Sequence, residues 1–183
     1  ARRSAQSAIF HIAHSLIRLL SPVLSFTAEE AWIHLTHKDR DSIFLHTWHK
    51  FPLQTDTKLV SQRWRRIREI RSEVQKKLEE SREQGVIGSS LSAVVEIRID
   101  GKDFLLLSSL GGDLRLVFIA SEVNLIQVKS SSERNIIVTP SANSKCERCW
   151  HYRKDVGSME NHPTICARCV SNLFGSGEER KFA

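Results

Sequence analysis

The sequence predicts a mainly α chain that passes into a small α+β unit with a small mixed sheet and ends in a zinc ribbon or knuckle. Three observations predict this. Apolar residues recur every three or four positions in two stretches, 2–20 and 57–84. The period drops to two over 93–99. All four cysteines fall between positions 146 and 169. The 183 residues leave room for one or two domains. With 40 % apolar and 26 % charged residues, wholesale disorder is excluded. No apolar run approaches the roughly 18 residues that cross a bilayer, so no membrane partner is expected.

In the first stretch Ala8, Ile9, Ile12, Leu16, Leu19 and Leu20 mark one helix face, and Pro22 ends or kinks it. A second helix is expected to start at Thr27 as N-cap, with Glu30 completing a capping box and Trp32 and Leu35 turned inward. Residues 37–55 read as polar and extended. The long helix over 57–84 carries a stripe of Leu59, Val60, Trp64, Ile67, Val74 and Leu78, and Gly85 caps its end. Ala93, Val95, Ile97 and Ile99 then alternate with polar or outward positions as a strand. Residues 102–110 suit a short helix closed by Gly111-Gly112. Segments 114–119, 123–128 and 135–138 suit three further strands. These elements divide the chain into 1–56, the long linking helix 57–85, the α+β unit 86–140 and a zinc-binding segment 141–183.

The net charge is +6 and the pI about 9.4, a balance that permits a polyanionic partner. The excess is concentrated at 58–85, net +4, and at 141–183, net +2. Arg63, Arg65, Arg66, Arg68 and Arg71 crowd the long helix. They suit phosphate contact, or a solvated face whose stems cover apolar neighbours. Glu69, Glu73, Glu79 and Glu80 at helical spacing favour the second reading. The histidine pairs His11/His14, His34/His37 and His46/His49 lack a third ligand at fixed spacing, so solvated helix-face histidines are expected rather than metal sites. The chain opens at Ala1 without an initiator Met, and His11, His14 and Arg18 interrupt any signal-peptide core. It is expected to start inside something larger or to have been processed.

Cys146-Glu147-Arg148-Cys149 and Cys166-Ala167-Arg168-Cys169 are two Cys-x-x-Cys knuckles separated by sixteen residues. Each folds two thiolates toward a common point, and four sulfurs close the shell of one structural zinc. A closed shell leaves no position for water, so the metal is not expected to catalyse. Two disulfides are disfavoured by the absence of any other Cys or secretory signal. A redox pair is disfavoured because two knuckles occur together without a thioredoxin-type βαβ pattern. His151 and His162 are alternative ligands that four cysteines make unnecessary. Trp150 follows the second Cys directly. Beside Arg153 and Lys154 it suits stacking on an unpaired RNA base, or else covers the knuckle as its miniature core. Arg180 and Lys181 suit phosphate contact, or a frayed tail.

Cys146-Glu147-Arg148-Cys149-Trp150-His151, Asp155-Val156-Gly157, Ile165 through Leu173 and the ending Gly175 through Ala183 closely resemble the extreme C-terminus of bacterial-type isoleucyl-tRNA synthetases. Leu20 through Trp32 resembles the anticodon-binding helical domain of class I synthetases. Glu79-Glu80-Ser81-Arg82 and Ile87 through Ala93 resemble the segment that follows it in the isoleucine, valine and leucine enzymes. The resemblance implies that 1–56 is the end of a helical anticodon-binding bundle and that the partners are isoleucine tRNA and the upstream domains of the same enzyme. It implies a cytoplasmic location. ATP and Mg would act only in a catalytic Rossmann domain with His-Ile-Gly-His and Lys-Met-Ser-Lys-Ser signatures. His11-Ile12-Ala13-His14 only mimics the first, since Ala replaces Gly and no strand precedes it. The lone Met159 excludes the second. Catalytic residues are therefore not expected in this chain, nor ATP–pyrophosphate exchange. A DNA glycosylase carries a finger of similar spacing, but it needs an N-terminal catalytic Pro and a β-sandwich before the finger. No DNA partner is expected. A free-standing zinc-ribbon interaction module is the third reading.

Overall fold

Helix α1 (Arg2–Leu20) leads through a tight turn into α2 (Ser25–Thr36). The computed structural model describes residues 2–37, 40–53 and 57–178, arranged as two units, 1–55 and 56–183. The expected cap at Thr27 is corrected. The helix begins two residues earlier at Ser25, and neither Thr27 nor a capping box closes it. The reason lies in the turn at Pro22. The amides of Ser21, Val23 and Leu24 donate to carbonyls of Ile17 and Leu20, and Ala28 N–H already donates to Leu24 O, so the helical ladder is running before Thr27 could cap it. Glu29 instead accepts from the Ser42 hydroxyl at 3.1 Å and the Ile43 amide at 3.0 Å. This pins a 3-10 turn at residues 43–45 inside the stretch expected to be extended. Trp32 is buried, as its helix position suggests, whereas Ile9, Ile12 and Leu16 of α1 are exposed.

The first unit holds a feature that sequence spacing does not reveal. His11, His14 and His49 gather around Arg18, which lies over the Trp32 ring at 4.6 Å. A guanidinium only donates, so His14 Nδ1 at 3.2 Å and His49 Nδ1 at 3.4 Å accept from Arg18. His49 then carries its proton on Nε2, which donates to His11 Nδ1 at 2.9 Å. The network requires neutral rings. Desolvation, followed by the Arg18 charge, holds His14 and His49 below the ordinary imidazole range. A depressed imidazole contributes stability above its unfolded value near 6.5, and the contribution is lost as pH falls through the folded value. Lowering the pH from 8 to 5 should therefore loosen the first unit, with a change in Trp32 fluorescence. A flat fluorescence and circular dichroism titration over that range would count against the network.

The second unit opens with α3 (Thr57–Glu83). Its buried stripe is Ile67, Ile70, Val74 and Leu78. The expected inward positions Leu59, Val60 and Trp64 are instead exposed, and Ile70 is an addition. Amphipathic spacing marks a face, but only contact with a partner buries it, and the sheet lies against the later turns. Gly85, at φ 72, takes the left-handed conformation that ends the helix, with Val86 N–H returning to Ser81 O. Strand β1 (Ala93–Ile99) follows, then α4 (Gly101–Ser108), α5 (Leu114–Phe118), β2 (Glu122–Gln127) and β3 (Asn135–Pro140). The sheet order is β2-β1-β3, parallel to β2 and antiparallel to β3. Ala93, Val95, Ile97 and Ile99 bury one face against α3, α4 and α5.

Segment 114–119 is helical, which corrects the expected strand. Leu114 and Phe118, four apart, are both buried, and Ile119 ends the helix at φ 56. The β-branched and aromatic residues favour a strand, but packing of an i, i+4 pair on the core outweighs that preference. Of the arginine run, Arg66 donates to Asp103 at 2.9 and 2.5 Å and to Glu69 at 2.8 Å. Arg134 joins Asp103 at 3.3 Å, and these bonds hold the carboxyl of Asp103 below the usual range, the Arg66 bond foremost. Arg66 thus fastens α3 to α4.

Candidate metal centre and the surface beside it

The two knuckles are built differently. Strands β4 (Ser144–Lys145) and β5 (Tyr152–Arg153) form a hairpin around the first. Within it Cys146 N–H donates to His151 O at 2.9 Å and Trp150 N–H to Cys146 O at 2.8 Å, which folds Cys146 and Cys149 to the same side. The second knuckle starts α6 (Ala167–Phe174), with Cys166 just before it and Cys169 in its first turn. An Asp155 oxygen accepts from Ala167 N–H at 3.2 Å and steadies that helix start. Gly157 sits at φ 79, where a Cβ would lie 3.0 Å from the Pro163 carbonyl oxygen, so the loop between the knuckles requires glycine there.

The four sulfurs lie within 4.8 Å of one another. Cys146 and Cys169 are 3.8 Å apart, and so are Cys149 and Cys166. These pairs share no sulfur, so they are opposite edges of one tetrahedron. A regular tetrahedron with arms of about 2.3 Å has edges of about 3.8 Å, the geometry of zinc held by four thiolates. A disulfide needs sulfurs about 2.05 Å apart, and the four cysteines are free. Cys146, Cys166 and Cys169 are fully buried, with Val156 and Ile165 packed against them. Burial pushes the Cys166 thiol up to about 12. At Cys146 burial acts the same way, but backbone amides of Cys149, Cys166 and Arg148 outweigh it and draw the thiol down to about 6. A divalent cation supplies the compensation that all four thiolates need together.

Neither histidine of the segment joins the cluster. His151 Nδ1 donates to Cys149 O at 3.0 Å, and His162 stacks on Phe174 at 4.2 Å. Trp150 is 60 % exposed, with Lys145 Nζ 5.7 Å from its ring centre. Its φ of 63 puts a bulky side chain in the left-handed region. Arg153 is engaged by Asp155 at 2.8 Å, while Lys154 is exposed. Arg180 and Lys181 lie outside the described residues. The segment is fastened to the sheet by Ser121, whose buried hydroxyl accepts from Tyr152 N–H at 2.6 Å and donates to Leu91 O. An open groove of about 510 Å³ beside this contact is lined by Arg115, Glu122, Tyr152 and Lys154 among others.

The family model for the anticodon-binding domain of tRNA ligases matches residues 1–97, and a zinc finger found in FPG and IleRS matches 143–172. The chain belongs to the tRNA ligase anticodon-binding family. Similar curated proteins are the isoleucine–tRNA ligases of Nitrosomonas europaea, 58 % identical, of a Janthinobacterium species, 51 %, and of Paraburkholderia phytofirmans, 51 %. In each case 100 % of this chain is covered, against 20 %, 19 % and 19 % of the relative. The chain thus spans about a fifth of their length. The finger and the four-cysteine cluster together indicate one zinc.

Proposed function

We propose that this chain is the tRNA-reading C-terminal region of an isoleucine–tRNA ligase, acting in the cytoplasm. Its partners are isoleucine tRNA and the upstream domains that use ATP and Mg to attach isoleucine. On this reading 1–56 completes the anticodon-binding bundle, 57–85 links it onward, 86–140 forms the supporting unit and 141–183 carries the metal. Cys146, Cys149, Cys166 and Cys169 hold the zinc, which supplies folding energy and rigidity. Trp150 stacks on an unpaired anticodon base, with Lys154 and Arg153 near the adjoining phosphates and Arg180 and Lys181 adding charge from the tail.

The observation that carries the reading is Trp150 itself. A turn at φ 63 is served most easily by Gly or Asn. A large, mostly exposed aromatic there works against folding and gains from a ligand it can stack on. Filter binding with isoleucine tRNA and an anticodon-swapped transcript tests the function, and preference for the first is expected. Trp150→Ala should cost about 1–3 kcal/mol of that affinity while zinc stays bound. Full affinity with weakened zinc would end the stacking role. Preference for damaged duplex DNA over tRNA would favour a glycosylase finger.

A further inference from the structure

Seven of the nine cations of α3 divide into two sets. Arg63 donates to Ser109 at 3.1 Å, Arg66 is held by Asp103 and Glu69, Lys77 by Glu80 at 2.7 Å, and Arg82 by Glu79. Arg65, Arg68 and Lys76 are exposed, and among the described residues none has an ion pair or side-chain hydrogen bond, the charge of Lys76 reaching Glu80 only at longer range. The buried stripe of Ile67, Ile70, Val74 and Leu78 fixes the rotation of the helix. At 100° per residue, positions 65, 72 and 76 fall opposite that stripe, with 68 beside them. Ser61 and Ser72 lie on the same ridge, and Glu69, which borders it, is engaged by Arg66. Arg65 to Lys76 spans about 16 Å along the axis.

We infer that this outer ridge of α3, built on Arg65, Arg68 and Lys76, is a track for the phosphate backbone of RNA. The order of charges on the helix supports it. A helix is stabilised by acids at its start and bases at its end. Here the first turn has no acid, five bases and one acid occupy residues 57–70, and four bases balance four acids over 71–83. Helix stability alone does not favour a basic excess at the start of a helix, and a polyanion would. Guanidinium groups suit phosphate oxygens. The outer face of the sheet offers no equivalent platform, since it carries Glu96, Arg98, Glu122 and Asn124 and no aromatic residue. The matched anticodon-binding domain, 1–97, includes α3. The inference rests on the RNA-binding function proposed above.

The test compares a triple variant, Arg65→Gln with Arg68→Gln and Lys76→Gln, against a charge-matched control, Arg98→Gln with Lys102→Gln and Lys129→Gln. Binding to an isoleucine tRNA transcript and to its anticodon-swapped form is measured across a salt series. The ridge variant should lower the slope of log affinity against log salt by about 2 to 3. Affinity should fall on the order of tenfold or more, by the same factor on both transcripts, because phosphates carry no sequence. Its melting temperature should be unchanged or raised, and the control should keep a near wild-type slope. Wild-type binding with an unaltered slope in the ridge variant overturns the track and leaves the tRNA function standing. Failure of the wild-type chain to bind either transcript overturns both.

Discussion

Chelation of the metal should unfold residues 144–178 while α3 and the sheet stay folded. The segment has little else to hold it. Its buried cluster consists of cysteines, with Val156 and Ile165 packed on them, and its hairpin is two residues long on each side. Structural zinc in fingers of this kind contributes on the order of 10 kcal/mol, far more than two aliphatic side chains supply. The core of Ile70, Val74, Val95, Ile97, Leu107 and Phe118 contains no cysteine and has no need of the metal. Hydrogen exchange read by mass spectrometry, with and without chelator, should show protection lost over 144–178 and retained in β1 and the later turns of α3. Cys166→Ser should reproduce the loss and reduce bound zinc from one per chain to none. Retained protection in the chelated segment, or full zinc in the Cys166 variant, would sink the assignment.

The second large effect is expected at Phe118→Ala, a loss of about 3–5 kcal/mol. Phe118 is fully buried in the core that α3, α5 and the sheet share. The short helix α5 has five residues, too few to persist without that packing. Removing the ring should therefore destabilise the second unit as a whole, seen as a lowered denaturant midpoint. Phe118→Leu, which keeps most of the volume, should lose much less. A Phe118→Ala chain within about 1 kcal/mol of wild type would show that the ring is not a keystone of the core.

Legibility followed the range over which each signal acts. The knuckles are local, since two tetrapeptides and a loop set the four cysteine positions, and the sequence reveals the whole cluster. The long helix is legible from its period, but its burial is not. Trp64 and Ile67 look equivalent on the stripe, and only the placement of the sheet decides that one is exposed and the other covered. At 114–119 the β-branched residues suggest a strand, while the Leu114/Phe118 spacing points to the helix that forms. The histidine network joins residues 31 and 38 positions apart, and Ser121 meets Tyr152 across 31. No local pattern encodes such contacts. The left-handed Trp150 was equally hidden, because its conformation comes from the closure of the knuckle turn.

The opposed sulfur pairs also make the centre a store of reducing equivalents. Two equivalents of a peroxide would each take two electrons and two protons from a thiol pair, leaving water, one disulfide between Cys146 and Cys169 and another between Cys149 and Cys166. Each pair would have to close from 3.8 Å to about 2.05 Å, which removes the tetrahedral hole and expels the ion. Metal occupancy and thiol oxidation are therefore mutually exclusive states of the same four atoms. While zinc is held, its charge and the buried surroundings of three of the sulfurs shield them from oxidants. Once it is lost, the chain exposes two reactive dithiols, and its capacity to refold around a metal depends on a reducing environment.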